Sequence, residues 1–136
     1  MSIHILIVAH APLASALRSC VLHVFPEVAD SLYAVDVEAD ERPEAALARA
    51  RASVQAIAND SVLLLSDVLG ATPCNIAQKM VDGQHCKLVA GVNLPMLLRI
   101  INYRHESMDA LIARALTGGA QCIVEGAPAA PLIEQR

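Results

Sequence analysis

The sequence predicts an α/β fold built on a doubly wound, mainly parallel sheet of four strands, with a short C-terminal fifth strand. Short apolar runs alternate along the chain with stretches in which apolar residues recur at helical spacing. Strands that are apolar throughout are typical of a parallel sheet with helices on both faces. Of the 136 residues 55% are hydrophobic and few are aromatic, so we expect one domain with an aliphatic core.

Five runs have the length and the composition of strands. In chain order they are Ile3–Ala9, Ser31–Val37, Ser61–Ser66, Lys87–Val92 and Gln121–Glu125. The fifth run would be a poor edge strand by itself, so we expect it to pair with a second copy in a homodimer. We assign residues 1–125 to the domain and residues 126–136, which are rich in Ala and Pro, to a flexible tail.

Helices are expected between these runs. Pro12–Val24 carries apolar residues at helical spacing, and the acidic stretch before Pro43 is typical of a helix start. A third helix is expected to have Thr72 as its N-cap, Pro73 as its first residue and Gly83 at its C-terminal end.

Two further helices follow the fourth strand. The first begins at Asn93, and its spacing predicts an inward face made of Leu94, Leu97, Leu98 and Ile101. The second is capped by Ser107 and is expected to end at Gly118-Gly119. Its spacing predicts an inward face made of Met108, Leu111, Ile112, Ala115 and Leu116.

The composition argues against several classes of protein. The formal net charge is −4 and no basic stretch interleaves with aromatic residues, so we expect no nucleic-acid partner. The opening segment lacks the basic region and the length of a signal peptide, and no apolar run reaches the length of a membrane span. We therefore expect a cytoplasmic protein that reaches the membrane only through its partners.

The four cysteines, Cys20, Cys74, Cys86 and Cys122, form no C-x-x-C pair. In a reducing compartment we expect them to be buried free thiols that act as small hydrophobic side chains. His85 adjoins Cys86, but adjacent residues on a strand point to opposite faces, and the spacing matches no zinc pattern. We therefore expect no metal and no cofactor.

Three of the predicted strands end in residues that can carry chemistry. His10 follows the first strand, Asp67 follows the third and Asn93 follows the fourth. In an open parallel sheet, ligands bind beyond the carboxyl ends of the strands, where the strand order reverses. If the first and third strands are neighbours, His10 and Asp67 meet at that crevice.

A histidine beside a carboxylate has a clear chemical use. The carboxylate fixes the hydrogen on one ring nitrogen, raises the basicity of the ring and stabilises the positive charge gained on phosphorylation. The helix start after Asp67 offers a phosphoryl group the backbone N–H groups of Ala71, Thr72, Cys74 and Asn75, with the Thr72 hydroxyl in addition.

Each of these features also has an ordinary structural explanation. A histidine at a strand end is often a surface residue, an aspartate there is often a turn residue, and most Thr-Pro pairs simply start helices. Asn93 is expected to be a helix cap. Periodicity and spacing by themselves therefore indicate an α/β domain with a candidate site at His10 and Asp67.

Three strings are more specific than any single residue. They are Ala-His-Ala-Pro at 9–12, Leu-Leu-Ser-Asp-Val-Leu-Gly-Ala-Thr-Pro-Cys-Asn at 64–75 and Val-Ala-Gly-Val-Asn-Leu-Pro-Met-Leu at 89–97. In this order and spacing they resemble the mannose-type enzyme IIA family of the phosphotransferase system (PTS), over residues 2 to about 125.

The resemblance implies a phosphohistidine carrier with a doubly wound fold. The phosphorylated histidine falls on His10 and its carboxylate partner on Asp67, and the phosphate loop falls on Gly70, Ala71, Thr72, Cys74 and Asn75. The resemblance also implies HPr as the phosphoryl donor, a histidine of an enzyme IIB as the acceptor and no bound nucleotide. It implies a homodimer in which the segment at Gln121–Glu125 pairs with the partner's sheet.

The phosphate loop departs from the family pattern, which usually continues after the aspartate with Thr or Leu, one variable residue and then Gly-Gly-Ser-Pro. Here Val68 follows the aspartate, Ala71 replaces the second Gly and Thr72 replaces Ser. Thr72 keeps an oxygen, whereas Ala71 needs a backbone that tolerates a Cβ. We expect these changes to alter the phosphate contacts and the transfer rate, while the nucleophile and its partner stay in place.

Several alternatives stay open from the sequence. We expect no enzyme IIB or membrane subunit to be fused to the domain, so service to a separate sugar transporter and a regulatory role through HPr both fit. The phosphocarrier subunit of a dihydroxyacetone kinase also places a histidine after its first strand, although its middle loop typically reads Met-Gly-Ser-Ala. A receiver domain phosphorylated on Asp67 would need acidic residues where this chain has His10-Ala11-Pro12. In a non-catalytic binding module the two side chains would form only a structural hydrogen bond.

Overall fold

The computed structural model describes residues 3–57 and 60–129. The strands and α-helices in this range are β1 (Ile3–His10), α1 (Leu13–Val24), β2 (Leu32–Val37), α2 (Pro43–Ser53), β3 (Ser61–Ser66), α3 (Thr72–Gln78), β4 (Cys86–Ala90), α4 (Leu94–Asn102) and α5 (Met108–Gln121). Short 3-10 turns at Pro26–Ser31 and Gln55–Ile57 precede β2 and β3. None of the helices described has the length and the apolar composition needed to cross a membrane.

The strands form one parallel sheet in the order β2-β1-β3-β4. β1 lies in the middle and pairs with both neighbours, so that Val8 lies opposite Val35 on one side and Ser66 on the other. From β1 the chain winds outward to β2, and from β3 it winds in the opposite direction to β4. The predicted doubly wound α/β fold is therefore confirmed, and its strand order reverses between β1 and β3, the place where sheets of this kind bind their ligands.

Helices cover both faces of the sheet, as the continuous apolar strands predict. Along β1, Ile5 and Ile7 pack into the layer that contains α1, α4 and α5, whereas Leu6 and Val8 pack into the layer that contains α2 and α3. All four side chains are buried. Burial on both faces fixes the register of β1, and with it the place of the residue that ends the strand.

The Gly118-Gly119 pair lies inside α5 and does not end the helix, which corrects the prediction. α5 continues to Gln121, and both glycines are buried. A Cβ on Gly118 would come within 3.0 Å of Arg99 Cγ, and a Cβ on Gly119 would come within 3.1 Å of Met96 Cε. The two glycines therefore let α5 pack closely on α4, and this contact outweighs the low helix propensity of glycine.

The segment Gln121–Glu125 is not a strand in the single chain, which corrects the predicted fifth strand. Gln121 is the last residue of α5, and residues 123–129 have no regular secondary structure. Ile123 and Val124 are 76% and 77% exposed. A segment of this kind becomes a strand only when a neighbour satisfies its backbone N–H and C=O groups. Exchange of this segment between two copies stays a prediction.

The inward faces of the last two helices also differ from the prediction. In α4 Met96 takes a buried position, while Leu98 is only half-buried. In α5 the buried stripe runs through Leu111 and Ala115 to the two glycines, and Leu116 is 61% exposed. The stripe is narrower than the apolar pattern suggests because α5 packs mainly on α4, through small residues.

α3 ends earlier than predicted. It stops at Gln78, and Gly83 lies in the turn before β4 with a φ of +75°. The Asp82 carboxylate accepts hydrogen bonds from three consecutive backbone N–H groups, those of residues 84–86, each at 2.8 Å. Between the helix and this turn, the N–H groups of residues 79–81 donate to carbonyls three residues earlier, at 2.9 to 3.2 Å, so the α-helical pattern has already ended at Gln78.

Alkylation rates test this placement of the turn and of β4. Burial first, and the Asp82 carboxylate second, raise the pKa of Cys86 to about 11. Cys20 and Cys122 are exposed, which corrects the expectation that all four cysteines are buried. Because the thiolate is the reactive form, we expect iodoacetamide at about pH 8 to modify Cys86 at least about tenfold more slowly than the exposed Cys20. Peptide mapping of a time course by mass spectrometry measures both rates. Equal rates would contradict the burial of Cys86 at the start of β4.

Candidate active site

His10 and Asp67 lie side by side at the carboxyl ends of β1 and β3. His10 is the last residue of β1, and Asp67 directly follows β3. Val8 lies opposite Ser66 in the register, so both residues leave the sheet at the same edge. The Nδ1 atom of His10 lies 2.7 Å from Oδ2 of Asp67. The structure thus brings together the two residues that the sequence predicts to be partners.

The Asp67 carboxylate is held by backbone groups as well as by the ring. Its Oδ2 accepts a hydrogen bond from the backbone N–H of His10 at 3.1 Å, and its Oδ1 accepts one from the N–H of Val68 at 3.0 Å. The Asp67 side chain is 9% exposed, whereas the His10 side chain is 53% exposed. The carboxylate is therefore fixed in place, while the ring that it contacts stays open to a partner.

The hydrogen bonds around Asp67 favour its ionised form. Burial is the largest single influence and raises the pKa of this carboxyl, but the His10 ring, the His10 N–H and the Val68 N–H together hold the pKa below its ordinary value. A carboxylate can only accept hydrogen bonds, so Nδ1 of His10 carries the hydrogen of the neutral ring. Nε2 then keeps a free lone pair, which a nucleophilic histidine requires.

Ser66, the last residue of β3, contacts both β1 and Asp67 and is missing from the site residues predicted by sequence. It is fully buried, and its hydroxyl donates a hydrogen bond to the carbonyl of Val8 at 2.7 Å. The same hydroxyl lies 3.5 Å from Oδ1 of Asp67. It thus ties β3 to β1 directly before the carboxylate. A polar residue at the end of an otherwise apolar strand is the sequence signal that could have found it.

The loop after Asp67 leads into α3 one residue earlier than predicted. Gly70 has a φ of +88°, which favours glycine, and Ala71 has a φ of −86°, which accommodates its Cβ without strain. Ala71 is the N-cap, because the first helical hydrogen bond runs from the N–H of Asn75 to the Ala71 carbonyl at 2.9 Å. Thr72 is therefore the first helical residue and not the cap, which corrects the prediction.

The predicted phosphate donors differ in how free they are. The N–H of Ala71 donates to the carbonyl three residues earlier at 3.3 Å, and the N–H of Asn75 is used in the helix. The N–H groups of Thr72 and Cys74 have no backbone acceptor among the described residues. The Asn75 amide donates to the Gly70 carbonyl at 3.4 Å and braces the loop. Phosphate binding by these five residues stays a prediction.

Asn93, at the end of the predicted fourth strand, lies outside this site. It caps α4: its Oδ1 accepts from the N–H of Met96 at 2.9 Å, and its amide donates to the Gly119 carbonyl at 3.1 Å. This confirms that Asn93 is a helix cap.

In residues 3–57 and 60–129, no three His, Cys, Asp or Glu side chains are grouped so that they could hold a metal ion.

The lowered pKa of Asp67 predicts a pH dependence of stability. A carboxyl whose pKa is lower in the folded state stabilises the fold above its unfolded pKa of about 3.9, and this contribution is lost as the pH falls through the folded pKa. We expect the advantage of the wild type over Asp67→Asn in urea unfolding to hold near about pH 5 and to shrink below about pH 4. Asp40→Asn, at an exposed position, is the control. An advantage that grows toward acid would contradict the assignment.

A family comparison covers the part of the chain that contains this site. The family described as PTS system fructose IIA component matches residues 4–116. The PTS system mannose-specific EIIAB component of Escherichia coli K12 is 40% identical over 63 residues, which are 44% of this chain and 20% of that protein. The chain thus spans about a fifth of the length of the curated relatives that it matches.

Solved structures share the fold over most of both chains. The mannose/sorbose-specific IIA subunit of the phosphotransferase system from Enterococcus faecalis gives a TM-score of 0.85 at 24% identity, over 96% of this chain and 99% of that chain. The phosphotransferase system component EIIA from Streptococcus agalactiae gives 0.79 at 24% identity, over 90% and 96%. Likeness at this identity shows the fold, and the match over residues 4–116 adds the family. The chain belongs to the PTS system fructose IIA component family, the mannose-type enzyme IIA proteins.

Proposed function

We propose that this chain is a phosphohistidine carrier, which accepts a phosphoryl group on His10 from the phosphohistidine of HPr and passes it to a histidine of an enzyme IIB. The 2.7 Å contact between Nδ1 of His10 and the Asp67 carboxylate carries the proposal. Membership of the family supports a phosphotransferase role in general. Service to a sugar transporter of the mannose, fructose or sorbose type and a role in PTS regulation both use this step.

The transfer asks the protein for positioning and for charge stabilisation. The lone pair on Nε2 of His10 forms a bond to phosphorus while the bond from phosphorus to the donor's ring nitrogen breaks, and that electron pair returns to the donor ring. The His10 ring then holds a hydrogen on Nδ1 and phosphorus on Nε2, so it carries a positive charge. The Asp67 carboxylate stabilises this charge, and transfer to the acceptor histidine reverses the step.

We assign the contacts of the phosphoryl oxygens to the loop of Gly70, Ala71, Thr72, Cys74 and Asn75. The N–H groups of Thr72 and Cys74, for which residues 3–57 and 60–129 provide no backbone acceptor, support this assignment together with the hydroxyl of the exposed Thr72. Val68 and Leu69 are 54% and 78% exposed in the same loop. They offer exposed apolar surface directly after Asp67, which suits a transient protein partner better than a small free substrate.

We further propose that two copies form a homodimer through Gln121–Glu125. The exposed apolar side chains of Ile123 and Val124 support this pairing, as does the position of β4 at one edge of the sheet. The proposed domain covers residues 1–125, and the proposed flexible tail covers residues 126–136. Of the tail, residues 130–136 lie outside the described residues. A cytoplasmic location, where HPr would be met, completes the proposal.

The alternatives differ in the group that is modified or in the acceptor. A receiver domain would be phosphorylated on Asp67. This carboxylate is 9% exposed and accepts three hydrogen bonds, so it is less accessible to a phosphoryl donor than the exposed His10 ring. The phosphocarrier subunit of a dihydroxyacetone kinase would use the same histidine with another acceptor. A non-catalytic module would need the contact only for structure.

Incubation with phosphoenolpyruvate, enzyme I and HPr tests the proposal. We expect mass mapping in base to find one phosphoryl group on His10, because phosphohistidine survives in base and is lost in acid. His10→Ala should abolish incorporation and keep the circular dichroism spectrum. Asp67→Asn should slow incorporation by at least roughly 10- to 100-fold, the cost of removing the partner that orients a metal-ligating imidazole.

The matched control is His85→Ala, which removes an exposed loop histidine and should change nothing. A label that is lost in base and survives mild acid would indicate an acyl phosphate on Asp67 and overturn the proposal. Partner binding and signalling that persist unchanged in His10→Ala would favour a non-catalytic module.

A further inference from the structure

We propose that Asp36 is a positioning residue for His10, because its carboxylate on β2 holds the start of α1 and so fixes the two-residue turn that directly follows His10. Asp36 orients His10 in the unphosphorylated protein whatever reaction His10 carries out. The effect of Asp36 on the rate of phosphoryl transfer rests on the proposed function of His10.

The start of α1 is held by a side chain from another element. Pro12 is the N-cap residue and makes no capping side-chain hydrogen bond. The N–H of Ser15, the third residue of α1, donates to Oδ1 of Asp36 at 3.0 Å, and the Ser15 hydroxyl donates to Oδ2 at 2.6 Å. A side-chain oxygen that takes the N–H of this residue usually belongs to the N-cap itself. Here the cap is supplied by β2, and its negative charge also suits a helix N-terminus.

The turn between β1 and α1 is too short to absorb a shift of α1. Only Ala11 and Pro12 separate the last residue of β1 from the first residue of α1. The N–H of Ala11 donates to the carbonyl of Val37 at 3.0 Å, so β2 holds this turn through its backbone as well. A displacement of the α1 start would therefore be passed directly to His10.

The end of β2 is itself anchored, which makes Asp36 a firm support. Arg49 on α2 donates to the Asp36 carbonyl at 2.6 Å. The same guanidinium makes two hydrogen bonds to the Glu41 carboxylate, at 2.8 Å and 2.7 Å. His10 thus lies between two held strand ends: Asp67 after β3 binds its ring, and Asp36 on β2 fixes the turn that follows it.

Nuclear magnetic resonance of the unphosphorylated protein tests whether Asp36 orients His10. We expect Asp36→Ala to keep a cooperative fold, to shift the ring nitrogen signals of His10 and to speed hydrogen exchange at the Ser15 and Ala11 amides. Glu38→Gln removes a neighbouring exposed carboxylate as the charge control and should leave all these signals unchanged. Ring signals of His10 that stay unchanged in Asp36→Ala would overturn the inference.

Transfer kinetics from phosphorylated HPr test the effect of Asp36 on the rate of phosphoryl transfer. We expect Asp36→Ala to lower kcat about tenfold with KM changed less than about twofold, since a misplacement of about 1 Å costs up to about 100-fold. A lower kcat/KM that comes from a higher KM, or an equal fall in Glu38→Gln, would indicate that Asp36 attracts HPr by its charge. Either result would overturn its role as a positioning residue.

Ser15→Ala provides an independent arm in case Asp36→Ala fails to fold. It removes one of the two hydrogen bonds to Asp36, so we expect a smaller fall in kcat, with no further fall when it is added to Asp36→Ala. Full additivity of the two changes would contradict a shared path. If the wild type takes no phosphoryl group on His10, the proposed function fails, and the ring signals still decide the role of Asp36.

Discussion

The hydrogen bond between Nδ1 of His10 and the Asp67 carboxylate is the interaction on which the chemistry of this fold depends. It needs an acid that is almost buried and still ionised, next to a ring that is half exposed. Burial strengthens the bond to the ring, and two backbone N–H groups keep the buried acid charged. Without these donors the ring could take either tautomer, and Nε2 would no longer be its single free nucleophile.

The sheet supplies the accuracy that this bond requires. β1 and β3 are neighbours with a fixed register, and Ser66 ties their ends together directly before Asp67. A slip of one residue would turn His10 to the opposite face of the sheet. Side chains at the ends of buried strands are also held more rigidly than side chains on loops. The exposed loop beside them, with Val68 and Leu69, is then free to vary with the partner.

The sequence predicts the strands and the residues at their ends because apolar runs determine the strands, and the residue after each run lies at the edge of the sheet. That His10 and Asp67 meet also requires β1 and β3 to be neighbours, and the resemblance to the mannose-type enzyme IIA family supplied that pairing. The features that the sequence hides depend on contacts between distant segments. In the sequence, the pair Gly118-Gly119 is compatible both with a helix end and with a close contact between helices. Only the position of α4 shows that it is a close contact. The role of Asp36 likewise depends on the adjacency of β2 and α1, and that of Ser66 on the adjacency of β3 and β1. Local composition encodes none of these neighbours.

The most direct test of the account is to find which ring nitrogen of His10 carries phosphorus. Phosphorus-31 and nitrogen-15 resonance of the protein phosphorylated through HPr, with histidine labelled, distinguishes the two ring positions. Because Nδ1 is engaged by Asp67 at 2.7 Å, the account predicts phosphorus on Nε2 and a retained hydrogen on Nδ1. Phosphorus on Nδ1, or on any other residue, would contradict it.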